Sequence, residues 1–93
     1  MIGRQLLRSA TSVGANYRAA CRGRSRADFI AKLGVSIEEA DESLYWMEML
    51  VESHLVSKSK MSNLIDEANQ LVAILTASSK TARTNLTRKQ PQL

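Results

Sequence analysis

Residues 29–52 read FIAKLGVSIEEADESLYWMEMLVE, and within them Phe29, Leu33, Ile37, Ala40, Leu44, Met47 and Val51 recur at steps of three and four. At about 100° of rotation per residue these positions share one side of an α-helix, so the stretch predicts the longest helix of the chain. Val35, Trp46, Met49 and Leu50 lie off that stripe on a second arc of about 100°, which predicts a helix covered on two sides and by more than one chain. Immediately upstream, Gly23 supplies a stop for a preceding helix, and Ser25 with Asp28 three residues on matches a capping box in which aspartate replaces glutamate.

A first helix is predicted from the N-terminus to about Cys21. Ile2, Leu6, Ala10, Val13, Tyr17 and Ala20 form its apolar side, while Arg4, Arg8, Arg18 and Arg22 project into an arc of about 80° on the other. Gly14, beside Ala10 and Ala15, lets a neighbouring backbone come close. After a serine-rich connection, Ser59 or Ser62 caps a third helix whose face carries Met61, Leu64, Ile65, Ala68, Leu71, Val72, Leu75, Ala82 and Leu86. Large apolar residues are scarce from Thr76 to Thr84, where fraying is expected. The domain is placed at 1–86, with 87–93 as a basic C-terminal tail.

The composition agrees with helix and removes several classes. In 93 residues there are four aromatics, one proline and four glycines, too few for the strands and turns of an all-β protein. One cysteine and one histidine exclude an internal disulfide and a four-ligand zinc site. The longest apolar run, Leu71 to Leu75, is far below the roughly 20 residues that span a bilayer, and a cytoplasmic location is expected. The formal charge of +4 hides a segregation: residues 1–27 carry +6, residues 28–52 carry −6, and the remainder carries +4. Blocks of opposite sign point to complementary surfaces or to an anionic partner.

Three runs carry a family resemblance: Gln5 to Arg18 (QLLRSATSVGANYR), Ser25 to Leu33 (SRADFIAKL) and Glu39 to Trp46 (EADESLYW). Together they resemble the four-helix bundle protein family, also called 23S ribosomal RNA intervening-sequence proteins, over roughly residues 3 to 80. The segment Ser12-Val-Gly-Ala-Asn16 is the most specific part. The resemblance implies an all-α, antiparallel up-and-down bundle assembled as a ring-like homopentamer, with no enzymatic activity. Two departures stand out. Ala19 occupies a position where family members commonly have glutamate, and the chain starts in mid-pattern at Met1-Ile2-Gly3, without the helix that precedes the Gln5 segment in the family. Three helices would then leave an apolar groove shaped for a fourth.

Arg4, Arg8, Arg18 and Arg22 are the candidate nucleic-acid-binding residues, because guanidinium groups on one face can contact phosphates. No aromatic platform accompanies them, so sequence-specific readout is not expected. The competing reading is a solvated face, or one paired with the acidic helix of a neighbouring subunit. Glu38, Glu39, Asp41, Glu42 and Glu48 lack the Glu-x-x-His partner of di-iron bundles, so no metal and no cofactor is expected. His54 reads as a helix C-terminal residue, and Cys21 as a small core residue. Ser12, Asn16, Asp41 and Glu42 form a candidate structural polar set, with Asn16 fixing helix register. Val35, Trp46, Met49 and Leu50 are the candidate oligomer interface. The expected function is a non-catalytic homo-oligomer that binds RNA or DNA non-specifically, the alternative being a protein-binding scaffold whose charges serve assembly alone.

Overall fold

Periodicity becomes structure as three helices: α1 (Ile2–Cys21), α2 (Arg26–Glu52) and α3 (Lys58–Lys89). The computed structural model describes residues 1–89, with side chains through residue 85, and no strand occurs among the described residues. The protein is all-α. Residues 90–93 of the expected basic tail, and the side chains of 86–89, lie outside this description.

Local chemistry sets the helix ends. Ser25 is the N-cap of α2 in extended conformation, and its Oγ accepts from the Asp28 N–H at 3.1 Å. Gly23 does close α1, but without a positive φ. A side chain there would bring a Cβ to 2.8 Å from Asp28 Oδ2 and 3.1 Å from the Ala20 carbonyl. The Asp28 carboxyl can swing aside, so glycine is favoured by the tight approach of the Ala20 carbonyl at 3.1 Å and the Phe29 nitrogen at 3.3 Å and not by a left-handed turn. Ahead of α3 the cap is Ser57, whose Oγ accepts from the Lys60 N–H at 3.4 Å, in place of the expected Ser59 or Ser62. The helix then continues to Lys89 without the fraying expected at 76–84, because Ser79 and Ala82 are buried on its packed side.

The end of α2 is the one strained backbone position among the described residues outside glycine. His54 has φ of 62°, its N–H donates to the Val51 carbonyl at 3.0 Å, and the Leu55 N–H donates to the Leu50 carbonyl at 3.1 Å. This is the double closure of a Schellman turn, in which glycine usually takes the left-handed residue. His54→Gly is accordingly expected to raise stability by about 0.5 to 1 kcal/mol. An unchanged or lowered urea midpoint would count against a strained His54.

Helix α2 is the centre of the molecule. It packs on both α1 and α3, whereas no Cα of α1 lies within 8 Å of one in α3 among the described residues. Ser9 meets Glu42 and Val13 meets Ser36, so α1 and α2 run in opposite directions. The described chain extends 56 × 19 × 13 Å. Its core is thin: Ala20, Leu33 and Leu75 form the central cluster, with Val13, Phe29 and Ile37 against it. Between α1 and α3, above α2, an open apolar trough is lined by Ala10, Val13, Ala40, Met47, Ala68 and Leu71.

The seam of α1 differs from the expected one. Ser9 and Ala20 are its buried residues, and Ile2, Leu6, Val13 and Asn16 are half-buried, whereas Ala10, Tyr17 and Cys21 are exposed. The steps 2, 6, 9, 13, 16 and 20 alternate four and three, the repeat of closely packed helix pairs. Cys21 is thus not a core residue, because it lies one helical step beyond Ala20 and outside the seam.

Candidate functional site

The polar chemistry that the fold concentrates lies along the α1–α2 contact. Ser9 is fully buried and donates from Oγ to Glu42 Oε2. Arg8, the preceding residue, reaches the same Glu42 oxygen with Nη2 and Glu39 Oε2 with Nη1 at 3.5 Å. Arg8 Nη2 also donates to Ser9 Oγ at 3.2 Å, and its Nε donates to Gln5 Oε1 at 3.4 Å. The hydrogen bond from Ser9 holds the Glu42 carboxyl below the usual carboxylate range; the Arg8 charge adds to this and partial burial opposes it. Charge-assisted bonds of this kind tie the first helix to the second.

Small hydroxyl residues continue the seam. Ser36 Oγ donates across it to the Val13 carbonyl at 2.8 Å, while buried Ser43 donates within α2 to the Glu39 carbonyl at 2.9 Å. Hydropathy patterning missed Ser9, Ser36 and Ser43, since serine scores as polar. Their spacing was the available signal: 36 and 43 are seven apart, as are 9 and 16.

The expected polar set divides. Asn16 Nδ2 donates to the Ser12 carbonyl at 2.9 Å and to Ser12 Oγ at 3.0 Å, one turn earlier on the same helix. Asp41 is exposed on the outer side of α2 and does not meet Asn16, while Glu42 belongs to Ser9 and Arg8. Because its bonds are local, Asn16→Ala is expected to shift stability by less than about 1 kcal/mol, the lost bonds being partly offset by alanine's helix propensity. A urea midpoint displaced by more than twice that would place a cross-helix role on Asn16 after all.

The four arginines are not equivalent. Arg8 is engaged within the chain, whereas Arg4, Arg18 and Arg22 are exposed and make no ion pair among the described residues. Arg18 and Arg22 flank Ala15 and Ala19 in a shallow depression. With Arg8 withdrawn, Arg4 stands about 21 Å along the helix from Arg18.

Of the candidate interface residues, Val35 is exposed, and Trp46, Met49 and Leu50 are half-buried. Trp46 packs edge-on against Tyr45 at 4.9 Å between ring centroids. Together with Met1, Ile2, Arg4 and Gln5 it lines an open apolar cavity of ≈ 600 Å³, and its indole N–H is buried without a partner. Trp46 therefore faces the start of α1 as well as the outside. No three His, Cys, Asp or Glu side chains converge as a metal site, and no helix is long and apolar enough to cross a membrane, among the described residues.

Comparison with known proteins adds family to geometry. The sequence model of the family described as 23S rRNA-intervening sequence protein matches residues 1–77. A crystal structure of a protein of unknown function from the S23 ribosomal protein family of Bacteroides thetaiotaomicron superposes with a TM-score of 0.84 at 35% identity, covering 86% of this chain and 71% of that one. No curated protein matches. With the family match spanning most of all three helices and a solved relative sharing their arrangement, the chain belongs to the 23S rRNA-intervening sequence protein family.

Proposed function

We propose that the protein is a non-catalytic helical-bundle subunit that assembles with copies of itself, its charged faces serving that assembly. The carrying observation is the contrast between Arg8, already bound by the carboxylates of α2, and Arg4, Arg18 and Arg22 on one side with Glu38, Asp41, Glu48 and Glu52 on the other, exposed and of opposite sign. Exposed Leu7, Tyr17, Leu64, Leu71 and Ile74 supply apolar area suited to subunit contacts. The homopentamer implied by the family resemblance is the expected assembly. Light scattering after size exclusion tests this reading, with an oligomer expected at micromolar concentration. A folded, monodisperse monomer would remove it.

A second reading is non-specific binding of RNA or DNA through Arg4, Arg18 and Arg22. It is favoured by the lack of ion pairs at these three residues and by the family's description, which names 23S rRNA. Such binding would be carried by phosphate contacts, with an affinity that falls steeply as salt rises. Filter binding to unrelated RNA and duplex DNA across a salt series decides it, and no retention at low salt would sink it.

A further inference from the structure

The outer side of α2 carries Glu38, Asp41, Tyr45, Glu48 and Glu52, all exposed and separated by steps of three and four. They form one stripe about 21 Å long. Tyr45 is 52% exposed, and its ring is steadied by the edge of Trp46, so it projects from the middle of the stripe with two carboxylates on each side. The outer side of α1 repeats this layout in the opposite sign. Arg4, Arg8, Thr11, Ala15, Arg18 and Arg22 are exposed at steps of four and three, with arginines at the ends and small residues in the centre. A projection flanked by acids on one helix thus corresponds to a strip of small residues flanked by bases on another.

The two stripes cannot satisfy each other within one chain. Apart from Arg8, contact with α2 uses Ser9, Val13 and Ala20, on the side of α1 opposite Arg4, Arg18 and Arg22, and Glu38, Asp41, Glu48 and Glu52 have no ion-pair partner among the described residues. Arg8 shows that α1 arginines and α2 carboxylates fit where geometry lets them meet, since it holds Glu39 and Glu42 together.

We infer that the outer face of α1 in one copy docks on the outer face of α2 in the next, with Tyr45 seated over Thr11 and Ala15. Arg18 and Arg22 at one end of α1 then meet a carboxylate pair of α2, and Arg4 meets the pair at the other end. This rests on the assembly reading above and specifies its contact. Because different faces of the two copies meet, the association is head to tail, and it closes into a ring or extends as a filament according to the rotation between copies.

Two variants that spare the intrachain pairs test this: Asp41→Arg with Glu48→Arg on α2, and Arg18→Glu with Arg22→Glu on α1. Each is expected to keep its helical circular dichroism and to raise the dissociation constant of assembly about 100-fold, read by light scattering. Mixing the two must restore association between unlike copies, raising the mass above that of either variant alone, since each then offers the face that the other lacks. Assembly of the unaltered protein should weaken from about 0.05 M to about 1 M salt. Unchanged mass in both variants, or a mixture that stays dissociated, overturns the docking face while leaving assembly itself intact. A monomeric unaltered protein overturns the assembly reading as well. Should either variant lose its helical signal, Tyr45→Ala decides: retained, salt-independent assembly rejects the inference, and salt-sensitive dissociation supports it.

Discussion

Leu33→Ala is expected to lower stability by about 2 to 5 kcal/mol, a large share of what a chain of this size possesses. Among the described residues Leu33 is the only large apolar side chain with no exposure, and it lies in α2 where the packing of α1 and that of α3 converge on Ala20 and Leu75. Removing it leaves a cavity among Ala20, Leu75, Val13, Phe29 and Ile37, which are already packed and collapse only partly to fill it. Leu71→Ala serves as the comparison, since Leu71 is half exposed and should cost well under half as much. Urea midpoints of the two variants measure the difference. Equal losses would show that the core is not centred on Leu33.

The second large effect is expected at Ser9. Ser9→Leu forces a branched side chain into a fully buried site on the α1–α2 contact, and overpacking alone should cost about 1 to 3 kcal/mol. Ser9→Ala keeps the space and removes only the hydroxyl, with an expected loss of about 1 kcal/mol. The pair also carries a signature in pH. Because the Ser9 bond is the main cause of the depressed Glu42 carboxyl, the stability it contributes is present above the ordinary glutamate range and is lost as pH falls through the lower, folded value. Ser9→Ala should therefore flatten the acid limb of the stability profile. A steeper or unchanged limb would mean that another group governs it.

Much of the architecture was legible because α2 is written in a strict three-and-four repeat and opens on Ser25, whose capping hydrogen bond to Asp28 is present. The seam of α1 was harder to read. Its centre is occupied by Ser9 and Asn16, and where two helices approach closely, size decides position as much as polarity does, so Ala10 and Tyr17 took the seam in a hydropathy count although both are exposed. Arg8 was grouped correctly with Arg4, Arg18 and Arg22 by angle. Its long side chain nevertheless leaves that arc and reaches Glu39 and Glu42, a step that rotation angles of Cα atoms do not contain. Asn16 paired with Ser12 because the partner one turn away on the same helix is already in place before any second helix docks.

The open side between α1 and α3 has a kinetic meaning. Among the described residues the close backbone approaches between helices join neighbours in the chain, α1 to α2 and α2 to α3, so none requires closing a loop across the whole sequence. Such short sequence separations belong to chains that fold in microseconds to milliseconds. They also make cooperativity close to linear, as in repeat proteins: among the described residues α1 and α3 are joined by way of α2. A perturbation that loosens α3 reaches α1 by way of Leu33 and its neighbours, while the hairpin of α1 and α2, tied by Ser9, Arg8 and Ser36, can persist as a partly folded unit of its own.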